Sequence, residues 1–312
     1  MSPLIKILTR EEEELIFKAK MTQIQFYALA LKLQKSKILQ ELSLLKYFNE
    51  FKRSTICDIK EVKKWIVNGW NTEYLLRINF KTLKGDALRN SLHWSFPQAY
   101  YSVYTICLAF FKVAGFTESS HTSVISKVGK LMYEGKYPNV ISFLSDGGMK
   151  KISFTNINRV ELPSTIHFAK TPEVIDTHIC QFLKSTREMD LDDRKVNIKC
   201  YTINGKRKVN FSESDWEKVS HSLGYTSIMS LLYRKRIKSN YRDIETFLCE
   251  ELNVDEVYKY LIAITSSINI VHESFIMKGL GETQYISLYQ KLNDEIKEII
   301  SKRSSTISNI IS

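Results

Sequence analysis

Five cations and no acid stand between Arg234 and Arg242 in the run Leu231-Leu232-Tyr233-Arg234-Lys235-Arg236-Ile237-Lys238-Ser239-Asn240-Tyr241-Arg242-Asp243. The stretch reads as helix, which sets Arg234 four residues from Lys238 and Lys238 four from Arg242, where like charges repel. Either an anionic partner answers these charges or they form a solvated face. The planar donor forks of Arg234 and Arg236 suit phosphate, whereas an internal ion pair with Asp243 or Glu245 is the structural alternative. A second basic segment runs from Arg194 to Phe211, with six cations and no acid. There Tyr201 and Phe211 interleave with Lys206, Arg207 and Lys208, so cations could follow a nucleic-acid backbone while a ring stacks a base. A solvated basic tip is the other reading.

The whole chain agrees in sign. Its 312 residues carry a formal charge of +11, and the pI is near 9.2. Both favour a polyanionic partner, RNA or an acidic protein. The five cysteines are scattered, odd in number and without a CxxC spacing. That speaks against a disulfide framework or structural zinc and fits a reducing cytoplasm. No GxxxxGK or GxGxxG loop and no cluster at metal-ligand spacing occurs, so neither cofactor nor metal is expected.

With 11 glycines, 5 prolines and 44% hydrophobic residues, the composition points to a mainly α fold with a real core. No signal peptide is visible, since Met1 to Arg10 runs straight into four glutamates. The apolar stretch Ala99 to Ala114 is broken by Ser102, Thr105 and Lys112, and reads as a core helix, not a membrane span.

Thr9 before Glu11 to Glu14 marks a helix start, and the helical period continues to about Arg53 as one long helix or a tight hairpin. Asp58 to Gly69 reads as a short amphipathic helix with Gly69 as C-cap. Tyr74 to Lys84 is open between helix and strand. Asp86 to Ala114 is a long helix that Pro97 kinks or divides, and Gly115 ends it. Ser120 then caps a helix over His121 to Tyr133.

From 137 to 225 the texture changes to an α/β insertion, with a strand near Lys151 to Ile157. Asn204-Gly205 predicts a type I′ hairpin in which Ile203 pairs with Lys206 and Cys200 faces Val209. Ser214 and Glu217 form a capping box, and Thr226 or Ser227 caps the basic motif helix. Asn253 to Lys278 is a long helix stopped by Gly279 and Gly281. A last helix passes through Tyr289, Leu292, Ile296 and Ile299, and Ser304 to Ser312 frays. The organisation is then a helical arm at 1–84, a core in two parts at 85–136 and 226–281 around the insertion at 137–225, and a C-terminal helix and tail at 282–312.

Two pieces resemble the HEPN family of small helical domains. Gln98-Ala99-Tyr100-Tyr101-Ser102-Val103-Tyr104, continuing to Gly115, then Ser120-His121 and Val124-Ile125, is similar to that family's first helix with its AYY-type motif and to a Ser-His pair opening the second helix. The basic run resembles the family's Arg-Asn-x-x-x-His-x-Tyr or Arg-x-x-Ala-Asp-Tyr signature. Aligned on Tyr241, Arg234 matches the arginine of the first form and Ser239 stands where its histidine belongs. The same alignment puts Arg236 at the arginine of the second form and Asn240 at its aspartate. The resemblance covers roughly Asp86 to Tyr133 and Thr226 to Lys278, under half the chain. It implies a mainly α, HEPN-like up-down bundle with a long N-terminal helical arm and a small insertion containing a basic β-hairpin.

Many family members resemble metal-independent ribonucleases whose motif helices meet at a homodimer interface. There a histidine activates the ribose 2′-hydroxyl and an arginine stabilises the phosphorane. Ser239 cannot be a general base near neutral pH unless another group activates it, so binding is expected over cleavage. Tyr241 is a packing residue or an acid, and His121 is a structural histidine or a replacement base. Arg89-Asn90-Ser91-Leu92-His93 mimics the motif in the wrong place, and His272 reads as a polar boundary residue. The resemblance implies a cytoplasmic RNA-binding protein of a toxin, defence or RNA-processing system, with Arg234, Arg236, Lys238, Arg242, Lys206, Arg207 and Lys208 as contacts. The alternatives are a homodimerising or acidic-partner-binding module, and an endoribonuclease using Arg234, Ser239, Tyr241 and His121. In a purely structural reading the N-terminal helix is an assembly element.

Overall fold

Scarce glycine and proline leave little to interrupt helices, and thirteen of them fill the computed structural model, which describes residues 9–159, 171–201 and 205–311. In chain order they are α1 (Arg10–Lys32), α2 (Lys35–Leu44), α3 (Lys46–Asn49), α4 (Ile59–Thr82), α5 (Gly85–Ala114) and α6 (His121–Tyr133). A 3-10 turn (Asn139–Ile141) and a two-stranded sheet, β1 (Leu144–Asp146) and β2 (Ser153–Thr155), precede α7 (Pro172–Lys195) and α8 (Glu213–Leu223). Next come α9 (Ile228–Ile237), a π-helical turn (Lys238–Arg242), α10 (Ile244–Leu248), α11 (Val254–Leu280), α12 (Glu282–Tyr289) and α13 (Asp294–Ile311).

The N-terminal signal holds locally: Thr9 accepts from the Glu12 N–H while the Glu12 carboxylate accepts from the Thr9 N–H, a reciprocal box that satisfies two orphan donors. The helix stops at Lys32, well before Arg53. Leu33 turns out of the helical region so that its carbonyl accepts the Ser267 hydroxyl of α11 at 2.9 Å. Gly69 is not a C-cap either, because α4 runs through it to Thr82. A Cβ there would stand 2.3 Å from Ile106 Cγ1, so the glycine lets α4 lie directly on α5, where Ser102 donates to the Gly69 carbonyl at 3.0 Å. Gly279 likewise lies inside α11, with a Cβ position 2.5 Å from Val113. Pro97 does not divide α5, which continues to Gly115 in the left-handed conformation at φ 77°.

α5 and α11 are buried along most of their length, and one apolar core reaches from Ala19 to Ile307. α11 is also long and apolar enough to cross a membrane, and 83% of its most apolar window is buried inside the fold. At the centre lies an ionic cluster. Arg303 of α13 is enclosed, donating to Glu73 of α4 at 2.6 Å and to Glu273 of α11. Glu73 also receives Arg77 and Asn269, and Glu273 receives Trp70 and Tyr285. Burial alone would raise the Glu73 pKa, but Arg303 and Arg77 outweigh it and hold the carboxyl at about 2. The expected fraying after Ser304 does not occur, since α13 stays helical to Ile311 with Ser304 and Ile307 buried. His272 is no boundary residue: it is buried, stacked on Phe110 and bonded through Nε2 to Tyr137 Oη at 2.9 Å.

Between residues 137 and 225, β1 and β2 pair antiparallel with Ser145 opposite Phe154. Arg187 of α7 ties them down, donating to the carbonyls of Gly147, Ser145 and Gly224, to Thr226 and Ser220, and to Asp146. The basic hairpin departs from expectation. Asn204 lies outside the described residues, Tyr201 pairs with Arg207 as a single bridge, and the Lys208 N–H donates to Cys200 O. That register is one residue off a two-residue turn, and it leaves Val209 80% exposed, as a one-residue slip must. A satellite core of Leu191, Cys200, Phe211, Trp216 and Val219 anchors the segment instead. The cap before α8 is Ser212 with Asp215, two residues earlier than Ser214 and Glu217.

Removing Arg303 would leave buried Glu273 without a cation and Glu73 with Arg77 alone, so Arg303→Met should cost about 3–5 kcal/mol of unfolding free energy in a urea titration. Burial holds His272 at about 3, below its unfolded value, so the unfolded state binds more protons between those values. His272 thus contributes stability that is full above about pH 6.5 and lost as pH falls toward 3. Urea midpoints measured from pH 7 to 4 should fall less steeply in His272→Phe than in the native chain.

Candidate functional site

Helix α9 has no solvated flank wide enough for a cation stripe, because α5, α6 and α7 all pack against it. Ser227 holds the N-cap position, and its N–H donates to Ser230 Oγ at 3.2 Å. Its cations therefore leave in different directions. Arg234 turns to α7, where Nη1 donates to Ser185 at 2.7 Å and Thr186 at 2.8 Å. Lys235 is buried, with Nζ donating to Thr22 of α1 at 2.9 Å and lying 5.1 Å above the Phe182 ring. Burial drives its pKa well below the usual lysine range, and Arg234 and Lys238 push the same way. Lys238 pairs with Asp243 at 2.7 Å. The helix widens to a π turn from Lys238 to Arg242, closed by the Asp243 N–H on Lys238 O, and the expected i, i+4 repulsion is met by separate partners for Arg234 and Lys238. Such turns interrupt helical register and occur often at functional sites. Here the turn buries Ser239, whose hydroxyl donates to Arg236 O at 3.2 Å, and leaves Tyr241 and Arg242 exposed.

Arg236 faces α5. Its Nη2 donates to Tyr101 Oη at 2.5 Å, and the guanidinium stands 5.0 Å from the Tyr101 ring, 5.6 Å from Tyr233 and 5.9 Å from Tyr100. Tyr100 Oη shares a hydrogen bond with His121 Nδ1 at 2.8 Å, and the His121 ring lies 4.4 Å from Tyr104. Burial lowers the His121 pKa and the Arg236 charge lowers it further, so the imidazole is neutral at pH 7. The segments around Tyr100, His121 and Arg236, far apart in sequence, therefore meet as one aromatic cluster. Ser239 and Tyr241 do not join it. The His93 ring lies tilted, 5.5 Å from Trp94, and stands apart from the cluster.

Outside this cluster a cleft of roughly 490 Å³ opens to solvent. Arg236, Asn240 and Tyr241 form one side, Asn68 and Thr72 of α4 another, and Trp94, Pro97, Gln98 and Tyr101 of α5 the third. Trp94 is 57% exposed and Tyr241 69%. Arg236 Nε and Asn240 Oδ1 are buried without a hydrogen-bond partner among the described residues. Trp94, Pro97, Gln98 and Tyr101 follow the i, i+3, i+4, i+7 spacing of one helix face. That spacing is the signal by which the cleft wall could have been read, and Trp94 was missed.

The insertion's cations are mostly engaged. Lys208 pairs with Asp215 at 2.8 Å and Arg207 donates to the Val196 carbonyl at 2.5 Å, while Lys206 is exposed. Phe211 is buried beneath Lys195, 4.9 Å from its ring, and Tyr201 is exposed. Among the described residues no group of three His, Cys, Asp or Glu is placed to hold a metal ion.

Lys235 is a buried cation without a carboxylate bonded to it, so Lys235→Met should leave the unfolding free energy unchanged or raise it by about 1 kcal/mol. A urea titration checks this, and a large loss would mean the ammonium is a structural tie. No family model, curated protein or solved structure matches the chain significantly.

Proposed function

We propose that the chain is an RNA-associated protein with a HEPN-like helical core, holding single-stranded RNA in the cleft beside Arg236. The observation that carries this reading is a guanidinium laid on Tyr101 and Tyr100 at a cleft rimmed by exposed Trp94 and Tyr241. Single-strand binders combine a cation for the phosphate with rings on which bases stack, and the net charge of +11 attracts the polyanion. Asn240 lines the cleft beside Arg236 and is the polar side chain there suited to a base edge. Arg242, Lys199, Lys206 and Arg207 are exposed in the two basic segments and add screening-sensitive attraction. Membership of a toxin, defence or RNA-processing system rests on the family resemblance.

A second reading, metal-independent cleavage, is favoured by one observation: a neutral His121 bonded to a tyrosine that Arg236 overlies. In that chemistry His121 accepts the 2′-hydroxyl proton, the 2′-oxygen attacks phosphorus, and Arg236 stabilises the added charge as the 5′-oxygen leaves, taking a proton from water, to give a 2′,3′-cyclic phosphate and a 5′-hydroxyl.

Fluorescence anisotropy with a labelled single-stranded RNA tests the binding. Trp94→Ala and Tyr241→Ala should each weaken it by about 1–3 kcal/mol, and Arg236→Ala should also flatten the log-log salt slope by about 0.7. Absent or salt-insensitive binding would overturn the proposal. Metal-free incubation that yields cyclic-phosphate ends, lost in His121→Ala, would establish the cleavage reading.

A further inference from the structure

The cleft beside Arg236 is one-sided in its hydrogen bonding. Among the described residues that line it there is no aspartate, glutamate or histidine, and Arg236 is the only charged one. A guanidinium has donors and no acceptor, and so has the indole of exposed Trp94.

The bonds already made within the walls sharpen this bias. Arg236 Nη2 donates to Tyr101 Oη and Nε is enclosed, while Nη1 carries no bond to a described residue. Gln98 accepts the Asn79 amide on Oε1 at 3.3 Å, so its own NH2 is uncommitted. Asn240 has its Oδ1 buried, which turns the NH2 end of that amide outward. On the α4 side the Thr72 hydroxyl donates its proton to the Asn68 carbonyl at 2.8 Å and keeps its oxygen as an acceptor. The α5 and Arg236 sides therefore present N–H groups, and acceptor oxygen is confined to α4.

We infer that the cleft selects bases with a ring keto group, uracil and guanine, over the amino bases cytosine and adenine. This rests on single-stranded RNA occupying the cleft. Unpaired bases are read by hydrogen bonds along their edges, and uracil and guanine carry a carbonyl where cytosine and adenine carry an amino group. A keto oxygen accepts from Arg236, and a bond to a charged donor is among the stronger kinds. Across the cleft, the Thr72 oxygen suits the ring N–H beside that carbonyl. An amino group in the same place sets N–H against N–H, and both are left without an acceptor. Stacking on Trp94 and Tyr241 tolerates any base, so it supplies affinity without discrimination.

Fluorescence anisotropy of the full chain with labelled hexaribonucleotides of uridine, cytidine, inosine and adenosine tests the selection. Lithium buffer keeps the inosine strand single. Uracil and cytosine share one ring size, as do hypoxanthine and adenine, so each pair isolates the exchange of keto for amino. The expected result is about ten-fold tighter binding of the keto member of each pair. Gln98→Glu keeps the oxygen that holds Asn79 and replaces the free NH2 by an acceptor, so both ratios should shrink or reverse. Each ratio is taken within one protein, so the added negative charge weakens both members alike. The wild-type ratios stand by themselves if that variant fails to fold. Salt-dependent binding with no keto preference, or ratios unmoved in folded Gln98→Glu, would overturn the inference and leave RNA binding intact. No binding of any of the strands would overturn RNA binding itself, and the inference with it.

Discussion

Arg303 is the charge on which the helical assembly depends. It enters from the last helix, near the end of the chain, and neutralises Glu73 and Glu273 inside the core. Neither carboxylate could remain ionised there alone, because an unpaired buried charge costs several kcal/mol. Through them the cluster reaches Trp70 and Arg77 on α4, Ser102 on α5, Asn269 on α11 and Tyr285 on α12. Burial acts against Arg303 as well, but Glu273 and Glu73 overcome it and keep the guanidinium protonated. One polar centre thus fixes the registry of five helices that apolar packing alone would specify less strictly.

That registry shapes the cleft. Close approach at Gly69 sets α4 on α5, so Asn68 and Thr72 line the cleft beside the Trp94 to Tyr101 stripe. The π turn after α9 supplies the other, because the wider turn carries Asn240 into the cleft and Tyr241 to its rim while sealing Ser239 beneath. Arg236 joins the two walls by lying on α5 tyrosines. The cluster it joins is rigid in character: ring on ring, with His121 bonded to Tyr100 and Tyr104 Oη donating to Ser119 O at 2.5 Å. A preorganised guanidinium loses little freedom when a ligand arrives, which is the condition for useful affinity from few contacts.

Local signals were legible in the sequence, and tertiary ones were not. Thr9, Ser120 and Gly115 act through neighbours three or four residues away, so each could be read directly as a helix end. Gly69 and Gly279 look identical to stops in sequence, yet they serve helices packed against them from elsewhere in the chain. The tail after Ser304 looked loose because nothing nearby reveals the partners of Arg303, which lie 30 and 230 residues away. The basic run shows the same limit in sharper form. Its charge was plain, but Lys235 finds Thr22 across 213 residues and Arg236 finds Tyr101 across 135. Only folding decides which cations remain for a partner. Trp94 shares one helix face with Pro97, Gln98 and Tyr101, but that spacing does not say which face of a long apolar helix stays exposed.

The central claim is that nucleic acid sits in the cleft beside Arg236 and not along the basic insertion. Photo-crosslinking of 4-thiouridine-substituted single-stranded RNA to the intact chain, followed by peptide mass spectrometry, locates the contact directly. The account predicts crosslinked peptides containing Trp94 and Tyr241. Crosslinks confined to the 194–211 segment, or none above a bovine albumin control, would contradict it.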